Sequence, residues 1–114
     1  MIINFSPVRM DEALVVYRDE DRLDLNGVVY DFGPLTEKAS IPQAAISSKW
    51  FAGEVERIDG ELVLTLVLPH GASAPEETRF PRPIRVNENG PITLPAYNNP
   101  AEPDEVLPFV QDFG

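Results

Sequence analysis

Two dipeptides constrain this chain more than any other feature: Asn26-Gly27 and Asp59-Gly60, each set between runs of apolar and β-branched residues. Asn-Gly and Asp-Gly tolerate the positive φ that both central residues of a tight hairpin turn require. Around the first, Leu23-Asp24-Leu25 leads in, and Val28-Val29-Tyr30-Asp31-Phe32 leads out with Val28, Tyr30 and Phe32 on one face. The second joins Trp50–Ile58 to Glu61–Leu68. There Leu62, Leu64, Leu66 and Leu68 point one way and Val63, Thr65 and Val67 the other. Apolar side chains on both faces mark a central strand covered on two sides, by its own core or by another subunit. A further strand is expected over residues 13–18, and short edge strands at Arg85-Val86 and Ile92-Thr93-Leu94 around Asn89-Gly90. Residues 33–49, with Pro34 and Pro42, have room for one helical turn and no more.

Proline divides the chain. Nine of its twelve prolines fall at or after Pro69, where they remove backbone donors and oppose central strands. The expected fold is therefore all-β: a small antiparallel sandwich or partly open barrel of hairpins over residues 1–94. An extended, Pro-rich, acidic arm over 95–114 follows it, ending in the apolar residues Val106, Leu107, Phe109, Val110 and Phe113. At 114 residues a single domain can bury a core without disulfides, and there is no Cys to form one.

The same counts exclude chemistry. Without Cys, zinc ribbons and thiol nucleophiles are out. The single imidazole, His70, sits between Pro69 and Gly71 with no nucleophile-elbow pattern beside it at Ser73, so it reads as a turn residue. Asp19, Glu20, Asp21 and Asp24 lack the alternating ligand core and downstream Glu of a calcium loop. No cofactor, metal or small-molecule substrate is expected. Nine basic against nineteen acidic residues give a net charge of −10, which disfavours nucleic acid as a partner. Arg79, Arg82 and Arg85 crowd the neutral middle, where an acidic protein surface is the simpler partner. The N-terminal residues lack a charged start and apolar run, and no apolar stretch is long enough to span a membrane, so a cytoplasmic product is expected.

Three blocks together resemble a group of small proteins encoded among the tail genes of tailed bacteriophages and prophages. They are Asn26-Gly27 with Tyr30-Asp31-Phe32-Gly33-Pro34-Leu35; Trp50-Phe51-Ala52-Gly53-Glu54-Val55-Glu56-Arg57 running into Asp59-Gly60; and Leu66-Val67-Leu68-Pro69-His70-Gly71 with Ala74-Pro75-Glu76-Glu77-Thr78-Arg79-Phe80-Pro81, closing at Gly90-Pro91. The likeness spans roughly residues 23–95 and brings no catalytic residues with it. It implies a structural component of a virion, assembled in the host cytoplasm near the distal tail, baseplate or fibre attachment, with other tail proteins and copies of itself as partners. The alternatives are an assembly chaperone absent from the particle, and an acidic nucleic-acid mimic that blocks a host defence protein. Trp50, Phe51, Val67, Arg79, Arg82, Arg85, Leu107, Phe109 and Phe113 are the candidate interface residues, with Trp50, Phe51 and Val67 serving either contact or core and Leu107, Phe109 and Phe113 as anchors of the arm.

Overall fold

The computed structural model describes residues 1–98. Nine strands form two sheets. They are β1 (Ile2–Arg9), β2 (Val16–Asp19), β3 (Arg22–Leu25), β4 (Val28–Asp31), β5 (Ser40–Ile41), β6 (Val55–Ile58), β7 (Glu61–His70), β8 (Ile84–Arg85) and β9 (Gly90–Ile92). The five-stranded sheet runs β5-β6-β7-β1-β8 and the four-stranded sheet β4-β3-β2-β9. They pack as a sandwich, not a closed barrel. A 3₁₀ turn at Gln43–Ala45 and the single helical turn α1 (Glu76–Arg79) complete the described elements. Among the described residues no helix is long and apolar enough to cross a membrane.

Both expected turns form. Asn26 and Gly27 take φ of 52° and 91°, and Asp59 and Gly60 take 53° and 78°. Each therefore has the doubly left-handed backbone that matches the twist of its strands. The turn joining β2 to β3 achieves a similar reversal with Glu20 at φ 56°. Nothing in its composition announces it.

The central pair departs from the all-antiparallel expectation. β1 lies parallel to β7 over eight residues, from Ile2 beside Val63 to Arg9 beside His70. A parallel pair needs a long crossover, and most of the four-stranded sheet supplies it: β2, β3 and β4 all lie between β1 and β7 in the chain. Asn4, Ser6 and Pro7 interrupt the apolar alternation of β1, which hides the strand in the sequence. β7 also continues through Pro69, beyond the Leu68 expected to end it. Each proline sits where its strand has lost a neighbour. β8 reaches only Ile2 and Ile3 of β1, and on the other side of β7 the pairing begun by β6 and continued by Trp50–Ala52 ends at Val67, before Pro69. A missing N–H then costs no ladder bond.

The two short edge strands expected around Asn89-Gly90 form as β8 and β9, but at the edges of different sheets: β8 joins β1 in one and β9 joins β2 in the other. The segment joining them is a strap between the two layers.

The core lies between the sheets. Ile3, Val55, Leu62, Leu64 and Leu66 enter from one side, and Val16, Leu23 and Leu25 from the other. Phe32, Trp50 and Phe51 fill one side of it, with Phe51 edge-on to Tyr30 (5.2 Å, 75°) and to Phe32 (5.7 Å, 77°). Burying one such side chain stabilises the fold by about 2 kcal/mol. The leucine face of β7 is fully covered, while Val63, Thr65 and Val67 are only half-buried. The two-sided cover expected for this strand is thus complete on one face only.

Arg57 of β6 ties the layers together. Its guanidinium donates to the carbonyls of Leu35 (2.5 Å), Phe32 (3.1 Å) and Gly60 (3.3 Å), and to Asp21 Oδ2 (3.0 Å) in the β2–β3 turn. A planar fork with five donors can satisfy this many acceptors at once. No other side chain can.

Candidate interaction surfaces

Cross-strand register sorts the four-stranded sheet into two faces. Val16, Leu25 and Val28 share one row, and Arg18, Leu23 and Tyr30 share another. The burial of Val16, Leu23 and Leu25 identifies that face as the inner one. The alternate rows therefore point outward: Pro91, Tyr17, Asp24 and Val29 in one, and Asp19, Arg22 and Asp31 in the next. Val15 extends the same face, and Val15, Tyr17 and Val29 are 66%, 52% and 57% exposed.

Three large apolar side chains on one open sheet face are a feature that a solvated surface does not need. A shallow groove of about 520 Å³ crosses this face, lined by Tyr17, Asp19, Arg22, Asp24, Val29 and Asn89 among others. Its polar groups are held in place. Arg22 pairs with Asp19 at 2.9 Å, Asp24 Oδ1 accepts from the Gly27 amide at 2.7 Å, and Asn89 bridges to Glu20. The ion pair with Asp19 holds the Arg22 guanidinium above its ordinary pKa. Such a face offers apolar contact within a fixed polar rim, which is the anatomy of a protein-binding patch.

The candidate residues from the sequence fall elsewhere. Trp50 and Phe51 are core residues, 5% and 1% exposed. Val67 is half-buried on the outer side of β7, with its amide bonded to the Trp50 carbonyl at 2.8 Å. Arg79 is exposed, donates through Nε to the Ala74 carbonyl at 3.1 Å and lies 5.6 Å from the Phe80 ring centroid. Arg82 lines a second open groove with Glu76, Glu77, Phe80 and Pro95. Arg85 reaches Glu61 at 3.5 Å. Leu107, Phe109 and Phe113 lie outside the described residues.

The start of the expected arm is bonded to the core. The Gly71 amide donates to the Tyr97 carbonyl (2.9 Å), and the buried Thr78 hydroxyl to the Ala96 carbonyl (2.6 Å). The Ser73 amide donates to Asn98 Oδ1 (3.0 Å), and the Tyr97 hydroxyl donates to the Met10 carbonyl.

His70 is the last residue of β7, paired with Arg9, and not the turn residue expected; its ring hydrogen-bonds through Nδ1 with the Gly71 carbonyl at 3.0 Å. Among the described residues no three His, Asp or Glu side chains converge on a metal-sized site. The outer face of the four-stranded sheet went unread in the sequence, because alternation shows which residues share a face but not which face the core takes. Tyr17 and Val29 look there like any other strand residues. No protein-family model, curated protein or solved structure matches the chain.

Proposed function

We propose that this chain is a non-enzymatic structural component of a bacteriophage particle, placed near the distal tail, baseplate or fibre attachment, and that it works by packing against neighbouring tail proteins. One observation carries the packing reading: Val15, Tyr17 and Val29 stand exposed together on the outer face of the four-stranded sheet. Apolar area of this kind is favourable to cover and unfavourable to leave in water. The polar groups around it are already paired within the chain, so a partner covers it without stranding them. The phage context rests on the three sequence blocks that resemble tail-gene products.

Quantitative mass spectrometry of purified particles tests the proposal. A structural component is present in fixed ratio to the major tail protein. Absence from particles, with abundance in the infected cell, turns the reading to an assembly chaperone.

A further inference from the structure

Strand edges are where a β protein is open to pairing, and this sandwich has four of them. Three are blunted. β5 and β8 are two residues long, and β9 carries Pro91 opposite Tyr17. β4 is different: four residues, Val28-Val29-Tyr30-Asp31, with no proline and no lysine. Among the described residues no strand pairs with its outer edge, and Val28 and Val29 are 54% and 57% exposed although they point to opposite faces.

The register shows which backbone groups the edge presents. Leu25 and Val28 flank a two-residue turn and so exchange hydrogen bonds. Bonded and non-bonded pairs alternate in an antiparallel ladder. Leu23 with Tyr30 is the next bonded pair, and the Phe32 amide donating to the Asp21 carbonyl at 3.0 Å continues the alternation. The amides and carbonyls of Val29 and Asp31 therefore point away from β3, into the open edge.

We propose that β4 binds an extended, basic segment of a partner protein as an added strand. Backbone groups of Val29 and Asp31 supply the ladder. Charge selects the occupant. The outer face beside this edge carries Asp19, Asp24 and Asp31. Of the two arginines that line its groove, Arg22 is already paired with Asp19, and Arg18 of β2, separated from β4 by β3, donates to the Glu20 carbonyl. Asp31 accepts from the Gly33 amide through Oδ1, leaving its other oxygen for a cation. An added strand places one side chain beside Val29 and the side chain two residues along beside Asp31. The fitting segment thus has an apolar residue and a Lys or Arg spaced i, i+2 on one face, with an apolar or β-branched residue facing Val28. A second copy fits poorly, because its own β4 brings Asp31 to an edge that is already acidic.

This inference rests on the reading above that the chain works by binding protein. The test uses the full chain and amide hydrogen exchange, with an end-capped peptide, acetyl-Lys-Thr-Val-Val-Thr-Arg-Thr-Lys-amide, and a twin with Glu in place of its three basic residues. The basic peptide is expected to slow exchange at Val29 and Asp31 by about tenfold or more, as for amides drawn into a ladder. The twin leaves them unchanged. Val29→Pro, which removes an outward N–H and no ladder bond, abolishes the protection while the Leu23 and Leu25 amides stay protected. Asp31→Lys keeps the edge and reverses the preference between the peptides.

Equal protection by both peptides, or none by the basic one at millimolar concentration, overturns the proposal. So does protection that depends on the chain's own concentration without peptide, since the occupant is then a second copy. Peptide protection with a chain absent from particles refutes the virion role alone. Presence in particles without peptide protection refutes strand addition alone.

Discussion

Replacing Arg57 with alanine is expected to weaken the tie between the two sheets. The substitution removes four donated hydrogen bonds, to the carbonyls of Leu35, Phe32 and Gly60 and to Asp21. The Arg57 side chain is 14% exposed; of its carbonyl acceptors Gly60 is exposed and Phe32 also accepts from the Leu35 amide, so the half-buried Leu35 carbonyl is the one left without its donor. Stranding a buried acceptor costs about 1–3 kcal/mol, reduced where water can enter the space left behind. Asp21 is 41% exposed, so the ionic part adds no more than about 1 kcal/mol. The sum is about 1–4 kcal/mol, a large share of the roughly 5–15 kcal/mol that holds a small domain together. Urea unfolding followed by the fluorescence of Trp50, the single and buried tryptophan, reads this directly. The midpoint should fall with the slope unchanged. Arg57→Lys keeps the charge but loses the planar fork, and should recover less than half of the loss. Asp21→Asn should cost less than about 1 kcal/mol. An Arg57→Ala cost below about 0.5 kcal/mol, within the usual range for surface changes, would refute the reasoning. So would an Asp21→Asn cost that matched it.

Thr78→Val removes the hydroxyl of a fully buried residue from the Ala96 carbonyl, which water can still reach because Ala96 is exposed, and should cost about 0.5–1.5 kcal/mol in the same unfolding assay. Gly60→Ala places a side chain at φ 78° in open space, so it should cost about 1 kcal/mol through backbone strain alone. Glu61 accepts from the Met1 α-ammonium and lies near Arg85, which together hold its carboxyl below the ordinary range. A depressed folded pKa adds stability that is fully present above the unfolded value of about 4.3 and is lost as pH falls through the folded one. Glu61→Gln should flatten the acid limb of the thermal midpoint against pH. Glu56, raised through its hydrogen bond with Glu54, acts with the opposite sign, so Glu56→Gln should steepen that limb.

Local turn chemistry made two hairpins legible, because Asn26-Gly27 and Asp59-Gly60 specify backbone angles that few other pairs accept. The leucine alternation of β7 likewise marked the face that fills the core. What stayed hidden was tertiary. Asn4, Ser6 and Pro7 obscure β1, whose pairing with β7 depends on partners far along the chain. Ile84 and Ile92 look like neighbours across Asn89-Gly90, yet their strands belong to different sheets. Arg57 reads as an ordinary surface base, since its four acceptors come from three separate loops. Trp50 and Phe51 suit either an interface or the core by composition alone, and the structure places them in the core. An edge is likewise a property of the assembled sheet, so β4 gave no sign of its role.

Incorporation of an altered outer face into particles is the most direct test. The double substitution Val15→Lys and Tyr17→Lys changes two exposed side chains and should leave stability within about 1 kcal/mol of the parent. Purified particles from a host producing only this form should lack the chain, while the protein remains folded and abundant in the cell. Incorporation at the parental ratio would contradict packing through this face.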